Sequence, residues 1–143
     1  MRKKHHPNSS YFKKKADDTW SLIIRSIGYC EMCGKEGRLD RKGRPIVGLH
    51  AHHVIGRTNP AFRWDYMNGL CLCISCHGSH PNFRNRKRSA HSSGEQKARF
   101  NAELKIKVPE KWAYWQENKD SHQLPEPYTY EEVYDILKKD LQT

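Results

Sequence analysis

Two residue types in this chain could do chemistry, and they come in clusters. Cys30 and Cys33 form one C-x-x-C pair and Cys73 and Cys76 a second, while three of the nine histidines stand at positions 50, 52 and 53 in "HAHHVIGR". Two such cysteine pairs suit tetrahedral zinc, because each turn presents two sulfurs to an ion about 2.3 Å away. Zinc held by four thiolates has no open coordination position, so that site holds structure and hydrolyses nothing. Cys71 could compete as a ligand, but it reads as a small buried strand residue. The imidazoles offer the other chemistry: at neutral pH an unperturbed histidine can accept a proton or ligate a metal.

The elements that must position these groups follow from the local pattern. Residues 1–15 read as a basic flexible tail. Trp20, Ile23, Ile24 and Ile27 then recur at helical spacing, with Asp17 and Asp18 near the start and Gly28 closing the helix. "PIVGLHAHHVI" is β-branched and apolar enough for a strand, and "GRTNPAFRWDYMNG" is a loop. "LCLCISCHGSHP" predicts a short strand that turns into a helix after Cys73. From residue 92 the character becomes helical: Phe100 and Leu104 lie one turn apart, Pro109 suits a first helical position, and Trp112 and Trp115 share a side. A last helix starts at Thr129, with Val133, Leu137 and Leu141 forming an apolar stripe that reads as a docking face or a dimer contact. The organisation is a tail over 1–15, a cysteine- and histidine-rich core over 16–91, and a helical extension over 92–143.

The 143 residues carry 26 Lys plus Arg against 16 Asp plus Glu, a formal charge of +10 that favours polyanions such as nucleic acid. Only 36% of the chain is hydrophobic, so its core is one that gains from a metal. No apolar run approaches the ~20 residues of a membrane span, and the basic N-terminus lacks the apolar segment of an export signal. The cytoplasm is the default location, where thiols stay reduced. Five cysteines would also make an odd disulfide set.

On a regular strand His52 and His53 point to opposite faces, so one of them could be packed away, while His50 shares the face of His52 and could be the ligand instead. His77 could be a metal ligand or merely cap a helix, His80 lies one turn beyond it, and Asn68 could be only a turn residue beside Gly69.

Taken in order, "CEMC", "AHHVIGR" and "NGLCLCISCH" resemble the HNH endonucleases over about residues 30–80. The resemblance implies an α+β fold: a zinc-stabilised, treble-clef-like ββα-metal core with flanking helices. It implies metal-dependent hydrolysis of DNA, with His53 as general base, Asn68 orienting the base or its loop, and His52 and His77 holding a catalytic Mg²⁺ or Mn²⁺. It also implies a bend at the end of the histidine strand, so that both neighbours reach the site. The block "HVIGR" followed by "FRWDYMN" and a C-x-x-C is similar to the phage NinG (Rap) recombination nucleases, which suggests branched DNA and a host-cell cytoplasm. The sequence departs from that group at His77, where Asn is expected, and in having His at position 52.

Within this frame Arg57 and Arg63 could clamp phosphate through bidentate contacts, or pair with Asp65 and other carboxylates. Arg84, Arg86, Lys87 and Arg88 in "NFRNRKR" are placed to touch the DNA backbone. The rival reading is a zinc-knuckle module that binds nucleic acid without cutting it. The His-His, Asn and His of the motif favour the enzyme, since a pure zinc scaffold needs none of them.

Overall fold

A computed structural model describes residues 4–59, 61–78, 89–120 and 128–142. Among the described residues five α-helices pack around a two-stranded antiparallel sheet, an α+β arrangement. Helix α1 spans Ser10–Arg25 and the strands are β1 (Leu49–His53) and β2 (Gly69–Cys73). Helix α2 (Ile74–His77) follows β2 directly; α3 (Gly94–Lys107), α4 (Pro109–Asn118) and α5 (Tyr130–Gln142) complete the chain.

The helix expected near Asp17 begins at Ser10, so the KKK run expected in a flexible tail forms the first turns of α1. What orders it is the far end of the chain. Helix α5 packs along α1, the backbone N–H of Glu131 donates to Pro7 O at 2.9 Å, and the Tyr130 N–H donates to the Asn8 side chain. Leu137 is buried here and Val133 partly so; Leu141 stays exposed. The apolar stripe of α5 therefore docks largely within its own chain. Thr129 caps α5 as its sequence position suggested: its hydroxyl accepts from the Glu132 N–H, and the Glu132 carboxylate accepts from the Thr129 N–H.

The strand predicted over 45–55 is shorter than its apolar run, because Arg38 and Val47 bridge to each other and Gly48 turns the chain at φ 88° before Leu49. The hairpin register pairs Leu49 with Cys73, His52 with Leu70 and His53 with Gly69. Gly69 is required by packing. A Cβ there would overlap the Ile24 side chain, so its absence lets α1 lie close over the sheet. The helix predicted after Cys73 starts there but stops at His77, where Gly78 takes the left-handed conformation at φ 71°.

One core joins the parts that the sequence pattern separated. Trp20 and Ile24 of α1, Met32, the β2 leucines, Phe100, Leu104, Trp115 and Leu137 form a single buried cluster. A polar staple reinforces it. The Glu31 carboxylate accepts from the Cys71 N–H and from Lys111 Nζ, which also donates to Gly69 O. The Glu31 side chain is 7% exposed, so this one pair ties the first cysteine turn, β2 and α4 together. No helix among the described residues is long and apolar enough to cross a membrane.

Candidate functional site

The four predicted zinc ligands converge from two elements. Cys30 and Cys33 lie on a tight turn closed by the Gly34 N–H to Cys30 O bond; Cys73 ends β2 and Cys76 sits on α2. Their sulfurs lie within 4.8 Å of one another, and Cys33 Sγ is 3.7 Å from Cys73 Sγ. A tetrahedron with 2.3 Å metal–sulfur bonds has edges of about 3.8 Å. The group can therefore hold a metal ion such as zinc with little adjustment. The Cys30 thiol is pulled to about 4, chiefly by a hydrogen bond from Cys76, whose own thiol is pushed up by that same contact. A central divalent cation would allow all four to ionise together. Cys71 is fully buried outside the group, and burial pushes its thiol to about 12.

A second group of possible ligands lies apart from the first. His52, His77 and His91 bring ring nitrogens within 4.8 Å of one another, and His77 Nε2 lies 3.0 Å from His91 Nε2. His52 and His77 were expected together; His91 was not expected at all. It arrives because the chain returns alongside α2, with the Ala90 N–H on Cys76 O and the His91 N–H on His77 O. No short-range spacing signals that pairing, and the sequence pointed instead to His80, which lies outside the described residues. Burial, then the like charges of its neighbours, brings His52 down to about 3, and His77 falls to about 4 for the same reasons. Both rings are thus neutral at pH 7, the form that ligates metal. His91 is exposed, which leaves the group open to solvent on one side. His50 stacks on His77 with centroids 5.0 Å apart but is not a member of the group.

His53 stands across the pleat. Instead of bending to bring both neighbours into one cluster, β1 runs regularly through His53, whose ring stacks on Trp20 of α1 at 4.0 Å. Its Nε2 lies 2.8 Å from Arg63 O. A carbonyl only accepts, so Nε2 carries the proton and Nδ1 keeps the lone pair. Burial pushes the His53 ring down from its ordinary value, which the Arg63 carbonyl partly opposes.

Asn68 is fully buried and holds the loop that supplies this carbonyl. Its Oδ1 accepts from the Ile55 N–H at 2.6 Å, and its Nδ2 donates to Ile55 O at 2.8 Å and Phe62 O at 3.0 Å. The side chain expected to orient the base or its loop thus bridges both ends of the segment that leads to Arg63.

The arginines divide. Arg63 makes a bidentate pair with Asp17 at 2.8 and 2.6 Å, not with Asp65, and Trp64 Nε1 donates to the same carboxylate. Its guanidinium is engaged by α1 and anchors the loop. Arg57 is exposed nearby, with its carbonyl accepting from Arg63. Arg84, Arg86, Lys87 and Arg88 lie outside the described residues.

Comparison with known protein families, with curated proteins and with solved structures found no match to this chain.

Proposed function

We propose that the protein is a divalent-metal-dependent endonuclease of the HNH type that hydrolyses DNA phosphodiester bonds, with branched or recombining DNA as its substrate class. The observation that carries this reading is the open three-imidazole group on one face of β1, with a histidine of fixed tautomer at the next position, across the pleat. A structural role for the four-cysteine group alone would need neither. In this reading that group holds zinc and supports the hairpin and α2, which between them present His52, His53 and His77.

The chain's own part in the reaction is proton handling and orientation. A water attacks phosphorus in line, forming one P–O bond as the P–O3′ bond breaks. His53 Nδ1 takes the water's proton, while Arg63 O keeps Nε2 protonated and the ring oriented. Asn68 acts through the loop as a positioning residue, and Trp20 fixes the plane of the base. His52, His77 and His91 would hold a divalent ion, which would supply charge stabilisation for the phosphate and O3′. Three imidazoles suit Mn²⁺ or a softer transition ion better than Mg²⁺, which prefers oxygen ligands. The departing O3′ takes a proton from solvent.

The test is cleavage of supercoiled plasmid and of a synthetic four-way junction, with Mg²⁺, Mn²⁺ or EDTA. Wild type should cut with Mn²⁺ and prefer the junction. His53→Ala should keep its zinc and its fold but stop cutting, and His91→Ala should need far more Mn²⁺. A wild type that never nicks, or a His53→Ala that cuts normally, removes the proposal and leaves a nucleic-acid-binding zinc module.

A further inference from the structure

A cavity of about 350 Å³ opens beside His52, between α3 and α4. Its polar lining includes Lys97, Asn101, Gln116 and Lys119, and Trp112 supplies an aromatic wall. This volume falls at the lower end of the ~300–1,000 Å³ range of small-ligand sites, which suits one nucleotide and excludes a duplex. Because His52 belongs both to this cavity and to the imidazole group, a strand whose phosphate reached the group would have a neighbouring residue at the cavity.

The electrostatics of the wall call for an anion. Lys97 is half-buried; its Nζ donates to Ala90 O and lies 5.7 Å from the centre of the Phe100 ring. No carboxylate pairs with it among the described residues, and burial lowers its proton affinity with no offsetting negative neighbour. A partly desolvated ammonium beside a group of imidazoles gains most from a ligand that brings its own negative charge. Aromatic and amide groups on the same wall match a nucleobase, which stacks on one and hydrogen-bonds to the other.

We propose that this cavity receives a single unstacked nucleotide flanking the scissile phosphate, its phosphate paired with Lys97 and its base against Trp112. The inference deepens the nuclease reading and rests on it for the placement of the scissile phosphate. It also gives that reading a reason to favour single-stranded flaps, whose unpaired bases enter without disrupting a duplex, and branch points, where a base unstacks at less cost than within a continuous helix.

The experiment is binding of a dT10 oligonucleotide and a matched ten-base-pair duplex to the full zinc-loaded chain, followed by tryptophan fluorescence and calorimetry without added Mn²⁺. The expected result is quenching by dT10, about tenfold weaker binding for Trp112→Leu and for Lys97→Gln, and recovery with Lys97→Arg. Duplex binding should change little in Trp112→Leu. If a variant loses zinc, the indole N–H resonance of Trp112 in wild type decides: it should shift on adding dT10, and an unmoved resonance overturns the proposal. Variants that bind dT10 as wild type does also overturn it. Cutting with normal KM by both variants sinks the cavity and spares the nuclease, whereas the expected binding pattern in a chain that never cuts does the reverse.

Discussion

Asn68→Ala tests the link between the loop and the His53 ring most sharply. The substitution removes three buried hydrogen bonds and strands the Ile55 N–H and Ile55 O, while Phe62 O keeps the Asp65 N–H as its donor. Stranding a buried polar group costs about 1–3 kcal/mol, so two at the low end give a loss of about 2 kcal/mol. With a urea slope of about 1.5 kcal/mol/M, the unfolding midpoint falls by about 1.3 M. The same change frees the segment that carries Arg63 O, so His53 loses the acceptor that holds its tautomer. Urea unfolding of the zinc-loaded chain measures the first effect, and ¹⁵N imidazole spectra of His53 measure the second. The wild type should show the Nε2–H form, and the variant a mixture of tautomers. Asn68→Asp should fall no nearer to wild type, since it turns two donors into acceptors that face carbonyl oxygens. A midpoint shift under about 0.5 M with the Nε2–H form intact would refute the reasoning, because the clamp would then carry neither stability nor orientation.

Three further outcomes follow from the packing. Cys33→Ser, or a strong chelator, should remove one bound zinc and expose the core around Met32 and Cys71; Co²⁺ substitution should give thiolate charge-transfer bands in wild type and lose them in the variant. Gly69→Ala should push α1 away from the sheet, at a cost of about 1–3 kcal/mol by thermal or urea unfolding, and should loosen the stacking of Trp20 on His53. Lys111→Met leaves the Glu31 carboxylate buried beside the Cys71 N–H without its cation, and should destabilise the chain by about 3–5 kcal/mol, while Glu31→Gln together with Lys111→Met should recover part of that loss.

The local pattern of the chain was enough for the four-cysteine group. C-x-x-C places two sulfurs on one turn, and two such turns can meet around one ion wherever the fold puts them. Helix identities followed for the same reason: Pro109 at the start of α4 and the Thr129 cap act within one turn, so their effect does not depend on the rest of the fold. The strand-to-helix switch after Cys73 was legible too, although α2 stops earlier than its polar continuation suggested.

What the sequence left open was decided by contacts between residues distant in the chain. His91 joins His52 and His77 through backbone pairing with the segment after Cys76, and no periodicity encodes that return. The choice between His52 and His53 turned on strand regularity. Hairpin pairing continues through His53, and the gap that Gly69 leaves for α1 gives the ring a tryptophan to stack on. Asn68 and Arg63 show the same division. Their types and order could be read, but whether an amide marks a turn or clamps a loop depends on which donors and acceptors packing brings within 3 Å. Of the two roles open to Arg63, packing supplies carboxylate pairing, through Asp17, 46 residues away in sequence and beside it in space. The sequence determined which chemistry was available, because metal ligation and proton transfer belong to side-chain types. Tertiary structure decided which rings share a face and which carbonyl fixes a tautomer, because those depend on distances that only the packed chain sets.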